Sequence, residues 1–302
     1  MINCLMKSIF FPMILFVFLF SCEGKKQKIV VETPKPDEDY LVTVNTSEGE
    51  MKLVLFDQTP NHKNNFLKLV ANEFYHDLLF HRVINNFMIQ GGDPKSKDAD
   101  LETDLGNGDP GYTVPAEIRK GLFHYKGMLG AARKMDQENP KKASNGSQFY
   151  IVHGRTYNEE ELGKMRVNYQ KLYELFGELV KKPEYKNVAS IYLKLQQEKN
   201  EKEMETLIYG TRDFIKKEFN EDVNLPLSAQ EIENYGKIGG APMLDGEYTI
   251  FGQVISGLEV IDKITSKAVN SKDRPTENVD MKMTLTLMKR TEITAKYGYK
   301  YP

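Results

Sequence analysis

Along Met51 to Phe56, the apolar side chains of Met51, Leu53 and Leu55 alternate with Lys52 and its neighbours, the period of two expected of a strand with one buried face. A similar run from Leu41 to Thr46 precedes it across Ser47-Glu48-Gly49-Glu50, so the two read as a hairpin. Thr59 followed by Pro60 places an N-cap before a proline at the first helical position. Phe66, Leu67, Leu69 and Val70 form an apolar stripe behind it, which predicts a short helix. Strand-like runs return at Leu79–Ile84, Phe87–Gln90, Met128–Arg133, Gln148–His153, Tyr248–Val254 and Met281–Leu287. They are short and separated by glycine-rich turns, which favours a small closed barrel or sandwich over an alternating βαβ sheet.

The periodicity changes between Asn158 and Gly236. Glu and Lys become abundant and glycine scarce, while Met165, Tyr169, Leu172, Phe176 and Leu179 recur at steps of four and three. Met204, Leu207, Ile208 and Ile215 suggest a later helix, Pro183 and Pro226 break the run, and Ser228-Ala229-Gln230-Glu231 has the form of a capping box. Residues 158–236 therefore read as a helical insert dividing an all-β domain that spans 40–157 and 237–290.

The first residues belong to neither part. Lys7 followed by the apolar run Ile9–Phe20 is too short to cross a bilayer and has the charged start and apolar middle of an export signal. The run ends in Leu19-Phe20-Ser21-Cys22, which resembles a bacterial lipobox, although Phe20 is bulkier than the residue usual at its position. On this reading 1–21 is a lipoprotein signal peptide, Cys22 carries the lipid, and the protein is held in the bacterial cell envelope, on the periplasmic side or at the outer membrane. Of the two cysteines, Cys4 would be removed with the signal, so the mature chain could form no disulfide. Residues 22–39, polar and rich in Lys and Pro, read as a flexible tether that could extend roughly 50 Å. The formal net charge of −2 offers no footprint for nucleic acid or an anionic membrane surface.

Three ordered segments carry a family resemblance. Phe80–Asp93 reads FHRVINNFMIQGGD; Lys126–Arg133 reads KGMLGAAR and is followed by NGSQFYI at Asn145–Ile151; Leu244-Asp245-Gly246 is followed by Phe251-Gly252-Gln253-Val254. The series resembles the signatures of the cyclophilins, over about Tyr40 to Leu287 without the insert. That resemblance implies a mainly β fold, a closed eight-stranded antiparallel barrel with two capping helices, and peptidyl-prolyl cis-trans isomerase activity on proline-containing polypeptides. At the matching positions it implies Arg82, Phe87 and Gln90 as catalytic residues. His81, Met88, Ala132, Arg133, Gln148, Tyr150, Met243, Leu244 and Tyr248 would bind substrate.

The chemistry asked of these residues is physical rather than covalent. Amide resonance gives the bond before proline a rotational barrier of roughly 18–20 kcal/mol. A guanidinium that hydrogen-bonds the prolyl nitrogen as it pyramidalises would favour the twisted state, and Arg82 matches the family position for that role. No bond is made or broken, so neither cofactor nor metal is needed. Several positions depart from the best-known relatives: Tyr150 replaces a Phe, Ala131 a Met, Met243 a Trp and Tyr248 a His. Loss of the Trp removes an indole N–H that the family uses for cyclosporin, which implies weakened inhibition.

Other features change the picture less. Gly106-Asn107-Gly108-Asp109-Pro110-Gly111 satisfies the dinucleotide fingerprint literally, but its proline and the lack of a following amphipathic helix make it a turn. The five histidines have no ligand spacing and no cysteine beside them, which argues against zinc. The insert's charged faces are most simply solvated. Its return just before Met243 and Leu244 also suggests a longer substrate groove or a docking site for an envelope partner. Two competing classes remain: a barrel that grips proline segments as a chaperone or adaptor with little turnover, and a structural lipoprotein whose helices dock an envelope complex.

Overall fold

The computed structural model describes residues 31–302. Cys22 and the signal segment lie outside the described residues. Eight strands close an antiparallel barrel: β1 (Glu38–Thr46), β2 (Gly49–Leu55), β3 (Leu78–Ile84), β4 (Met88–Gly91), β6 (Met128–Ala131), β8 (Phe149–Val152), β9 (Ile250–Ser256) and β10 (Asp280–Lys289), ordered β1-β10-β3-β4-β8-β6-β9-β2. Closure leaves no unpaired edge among them. The alternation read along Met51–Leu55 points Met51, Leu53 and Leu55 into the barrel, where they meet Ile89, Leu129, Phe149 and Ile151. Two short strands, β5 (Thr113–Val114) and β7 (Ser144–Asn145), pair separately; two residues each are too few to register as a period in sequence.

Two helices cover the barrel, α1 (Pro60–Ala71) and α8 (Leu258–Thr265), burying Phe66, Leu67 and Val70 from one and Val260, Ile261 and Ile264 from the other in the same core. Thr59 occupies the N-cap position of α1 but its hydroxyl donates to Phe56 O at 3.3 Å and caps nothing. The distant Glu117 does the capping instead: its carboxylate accepts from the N–H groups of Asn61 at 3.2 Å and His62 at 3.0 Å. Burial pushes the Glu117 pKa up, but the hydrogen bonds from the His62 ring and these two amides outweigh it, leaving it below the usual glutamate value.

Both ends of the barrel reach past the limits read from sequence. β1 starts at Glu38, and Asp39, placed in the tether by its polarity, is fully buried because Lys63 Nζ meets its carboxylate at 2.8 Å. Beyond β10, α9 (Arg290–Tyr297) and the following Tyr299 and Tyr301 pack around Leu41, Val54 and Ile293.

Between β8 and β9 the chain forms α2 (Glu159–Met165), α3 (Tyr169–Leu179), α4 (Lys186–Gln197), α5 (Glu201–Gly210), α6 (Arg212–Phe219) and α7 (Ala229–Lys237). Capping boxes open α2 (Asn158 with Glu161) and α7 (Ser228 with Glu231). Leu172, Phe176 and Leu179 join Ile208, Ile215 and Val223 in a core separate from that of the barrel. The insert nonetheless docks on the barrel at its base. Tyr235 of α7 packs against Tyr125 with ring centroids 4.7 Å apart, within a cluster that includes Phe123, Tyr157 and Leu162. The crossing is tight: a Cβ on Gly154 would lie 2.3 Å from the Gly240 backbone, so glycines let the two strands of chain pass.

Candidate active site

Inward positions of β3, β4, β8 and β6 fill the core, so the alternate positions face outward. Register then lines up Arg82 with Gln90, Gln90 with Tyr150 and Tyr150 with Gly130, a row of outward residues across four strands. Next to this row Met88, Tyr150 and Val152 form a buried apolar cluster, flanked by the half-buried Phe87, Ala132, Leu244 and Tyr248. This is an apolar surface beside a cation.

Arg82 is 43 % exposed and only lightly held. Its Nη1 donates to Gln90 Oε1 at 3.5 Å, and its Nε lies 3.6 Å from Asp273 Oδ2. Gln90 is better fixed, donating from Nε2 to Gln148 Oε1 at 2.9 Å. Gln148 Nε2 in turn reaches the carbonyls of Gly106 and Gly108 at 3.0 and 2.6 Å. The Gly106–Gly111 turn therefore anchors the amide relay, and Asp93 anchors the turn by accepting from the N–H groups of Gly106 and Gly108. Beyond Gln90 and Gln148 a groove of about 610 Å³ runs past Ala132, Arg133 and Asn145. Arg133 is largely buried, stacked 4.4 Å over the Tyr248 ring with its Nε on Glu247 O at 3.0 Å. Met243 is 48 % exposed and does not line this groove.

His81 is not brought to this groove. It is 3 % exposed and lines a different cavity of about 290 Å³, between Leu101–Leu105 and Asn270–Thr276. Burial dominates its protonation and lowers its pKa to about 4, with the charge of Asp93 pulling the other way. A histidine depressed in the folded state stays neutral while the unfolded chain takes up a proton. His81 thus contributes stability that is complete above about pH 6.5 and lost as pH falls toward 4, roughly 3 kcal/mol in all. Urea melts between these pH values should show a shallower acid loss for His81→Gln than for wild type; equal slopes would refute the assignment.

Gly130 explains how the Tyr150 ring lies flat. A Cβ there would be 2.2 Å from Tyr150 Cζ, so any side chain must displace the ring. Gly130→Ala should raise KM for a proline peptide several-fold and cost about 1–3 kcal/mol of stability by overpacking; kinetics and a denaturant melt check both.

Sequence reasoning missed Asp273 and also His124, whose Nε2 lies 2.8 Å from the Tyr150 hydroxyl. The available signal was the change from Phe to Tyr at 150, since a buried hydroxyl demands a partner. Among the described residues, no group of three or more His, Cys, Asp or Glu side chains is spaced to hold a metal.

Comparison with known proteins places the chain in a family. A family model described as "Cyclophilin type peptidyl-prolyl cis-trans isomerase/CLD" matches residues 41–209 and 230–285. The chain belongs to the cyclophilin-type peptidyl-prolyl cis-trans isomerases. A Staphylococcus epidermidis protein named "Putative peptidyl-prolyl cis-trans isomerase" is 26% identical over 244 residues, 80% of this chain and 89% of that one. A Streptococcus pyogenes protein named "Putative bifunctional phosphatase/peptidyl-prolyl cis-trans isomerase" is 29% identical over 244 residues, 79% of this chain but only 37% of that protein's length. A cyclophilin-type isomerase crystal structure from Cryptosporidium parvum aligns with a TM-score of 0.46 at 21% identity, covering 82% of this chain and 98% of that one.

Proposed function

We propose that this protein accelerates rotation about X-Pro bonds in exported or envelope proteins and so assists their folding. Arg82 hydrogen-bonds the prolyl nitrogen as it leaves the amide plane, and the surface formed by Phe87, Met88, Tyr150 and Leu244 holds the proline ring. The observation that carries this reading is the row Arg82–Gln90–Tyr150, which sets a guanidinium, its amide support and a buried ring side by side on the outer barrel face. Gln90, held by Gln148, offers Arg82 an amide support at 3.5 Å, which leaves the guanidinium able to turn toward the twisted nitrogen. A protease-coupled isomerisation assay on wild type and Arg82→Ala tests the reading. Equal rates would leave a proline-peptide-binding chaperone without useful turnover.

The location in the bacterial envelope belongs to the same proposal. Its support is the apolar run Ile9–Phe20 and the Leu19–Cys22 sequence, with Cys22 as the lipid-bearing residue. Metabolic labelling with a fatty-acid analogue should mark the wild-type protein and not Cys22→Ser. An unlabelled mature wild type would exclude the anchor. For an envelope partner at the insert, the support is the surface of α4 and α6, on which the separate apolar side chains of Ile191, Leu193 and Phe214 are each about half exposed. An envelope protein captured by the full chain and lost with Ile191→Lys plus Leu193→Lys would identify that surface.

A further inference from the structure

Holding a proline ring uses the face of Tyr150 and gives no work to its hydroxyl. That hydroxyl lies 2.8 Å from His124 Nε2, and His124 Nδ1 lies 3.0 Å from Asp245 Oδ1, which also accepts from the His124 backbone N–H at 2.8 Å. A carboxylate can only accept, so Nδ1 carries the proton and Nε2 accepts from the Tyr150 hydroxyl. Burial lowers the His124 pKa and keeps the ring neutral, consistent with that tautomer.

The second oxygen of Asp245 is held from the insert. Oδ2 accepts from the Tyr235 hydroxyl at 2.7 Å and from Arg166 Nη2 at 3.2 Å. Tyr235 lies on α7 and Arg166 ends α2, and the two helices are tied by the Arg166 contact to Glu231 Oε1 at 2.5 Å. Every member between insert and pocket is closed to solvent: His124 and Tyr235 are 0 % exposed, and the Asp245 side chain 3 %. A buried chain of hydrogen bonds in which the donors of Tyr150, His124 and Tyr235 are all committed has few alternative arrangements, so moving one member leaves another unpaired.

We propose that the helical insert is a working wall of the proline site, with Arg166 and Tyr235 as positioning residues that set the Tyr150 ring through Asp245 and His124. The inference rests on Tyr150 being the ring that meets the substrate proline. It accounts for the tyrosine hydroxyl and the buried histidine–aspartate pair, and for the rooting of the insert beside Met243 and Leu244.

The test is a double-mutant cycle in the full-length protein, reading kcat and KM on a proline tetrapeptide. Tyr235→Phe should lower kcat/KM roughly three- to tenfold when Tyr150 is intact, short of the hundredfold that a misplacement of about 1 Å can cost. In a Tyr150→Phe background, where the chain is already cut, the same change should cost less than about twofold. Arg166→Lys should recover most of the activity lost in Arg166→Met. The imidazole nitrogen NMR shifts of His124 should move in Tyr235→Phe, a response that general loosening of the insert would not produce. Equal losses in both backgrounds, no loss in either, or an unmoved His124 would each overturn the proposal. Its failure is distinguishable from failure of the site reading, which would appear as an Arg82→Ala protein as active as wild type.

Discussion

Arg82→Ala should lower kcat/KM for an X-Pro peptide by roughly ten- to a hundredfold while leaving the thermal midpoint within a degree or two of wild type. The size follows from one charge-assisted hydrogen bond, worth about 1.5–3 kcal/mol, converted to a rate. The small stability change follows from the side chain's surroundings. It is 43 % exposed, its contact with Gln90 is at the limit of a hydrogen bond, and its approach to Asp273 is an exposed ion pair of the kind that contributes little to folding. Arg82→Lys should fall between the two, because an ammonium keeps the charge but not the planar fork that can serve Gln90 and the prolyl nitrogen together. A hundredfold loss would still leave an enzyme, since the apolar pocket and the groove bind the peptide without the arginine. Stopped assays at several substrate concentrations should therefore place most of the loss in kcat. A loss confined to KM would mean that Arg82 only binds.

The individual strands were legible in sequence because they are written at short range, whereas the eight-stranded closure and the pocket residues came from the resemblance to the cyclophilins. Arg82, Phe87, Met88 and Gln90 fall within one hairpin, where strand period and register set their positions, and the core alternation along Met51–Leu55 needs no tertiary information. What escaped is held by contacts between distant parts of the chain. Glu117 caps α1 across more than fifty residues, so Thr59 looked like the cap because only its neighbours could be consulted. Asp39 read as tether because the last residue of the acidic run Asp37-Glu38-Asp39 gives no hint of Lys63 closing over it. His81, adjacent to the arginine in sequence, is turned into another cavity by the irregular pairing between Phe80 and Arg82. Its neighbour's role could not be extended to it.

The insert shows the same division. Its helical character and the Ser228 capping box follow from periodicity and local chemistry, whereas the Asn158 box came only from the fold, and the connection to the pocket depends on Arg166 and Tyr235 meeting Asp245, seventy-nine and ten residues away in the chain. Asp245 itself stood inside the Leu244-Asp245-Gly246 segment of the family resemblance, with no role assigned to it. Only the fold reveals that four donors converge on it.

That convergence sets the largest stability effect expected in the molecule. Asp245→Asn preserves shape but replaces one accepting oxygen with a donating amide, directed at donors from His124 on one side or from Tyr235 and Arg166 on the other. Whichever way the amide turns, buried donors are left facing a donor, and Arg166 keeps only Glu231 as its counter-ion. Breaking a buried ion pair from one side typically costs about 3–5 kcal/mol, a large share of the roughly 5–15 kcal/mol that holds a domain folded. The thermal midpoint should drop on the order of 10 °C. By contrast Glu160→Gln, which removes the solvent-exposed partner of Lys164 on the same α2, should leave the midpoint where it is. If Asp245→Asn melted like wild type, the carboxylate would not be organising the junction between barrel and insert, and the apolar cluster of Phe123, Tyr125, Tyr157, Leu162 and Tyr235 would carry it.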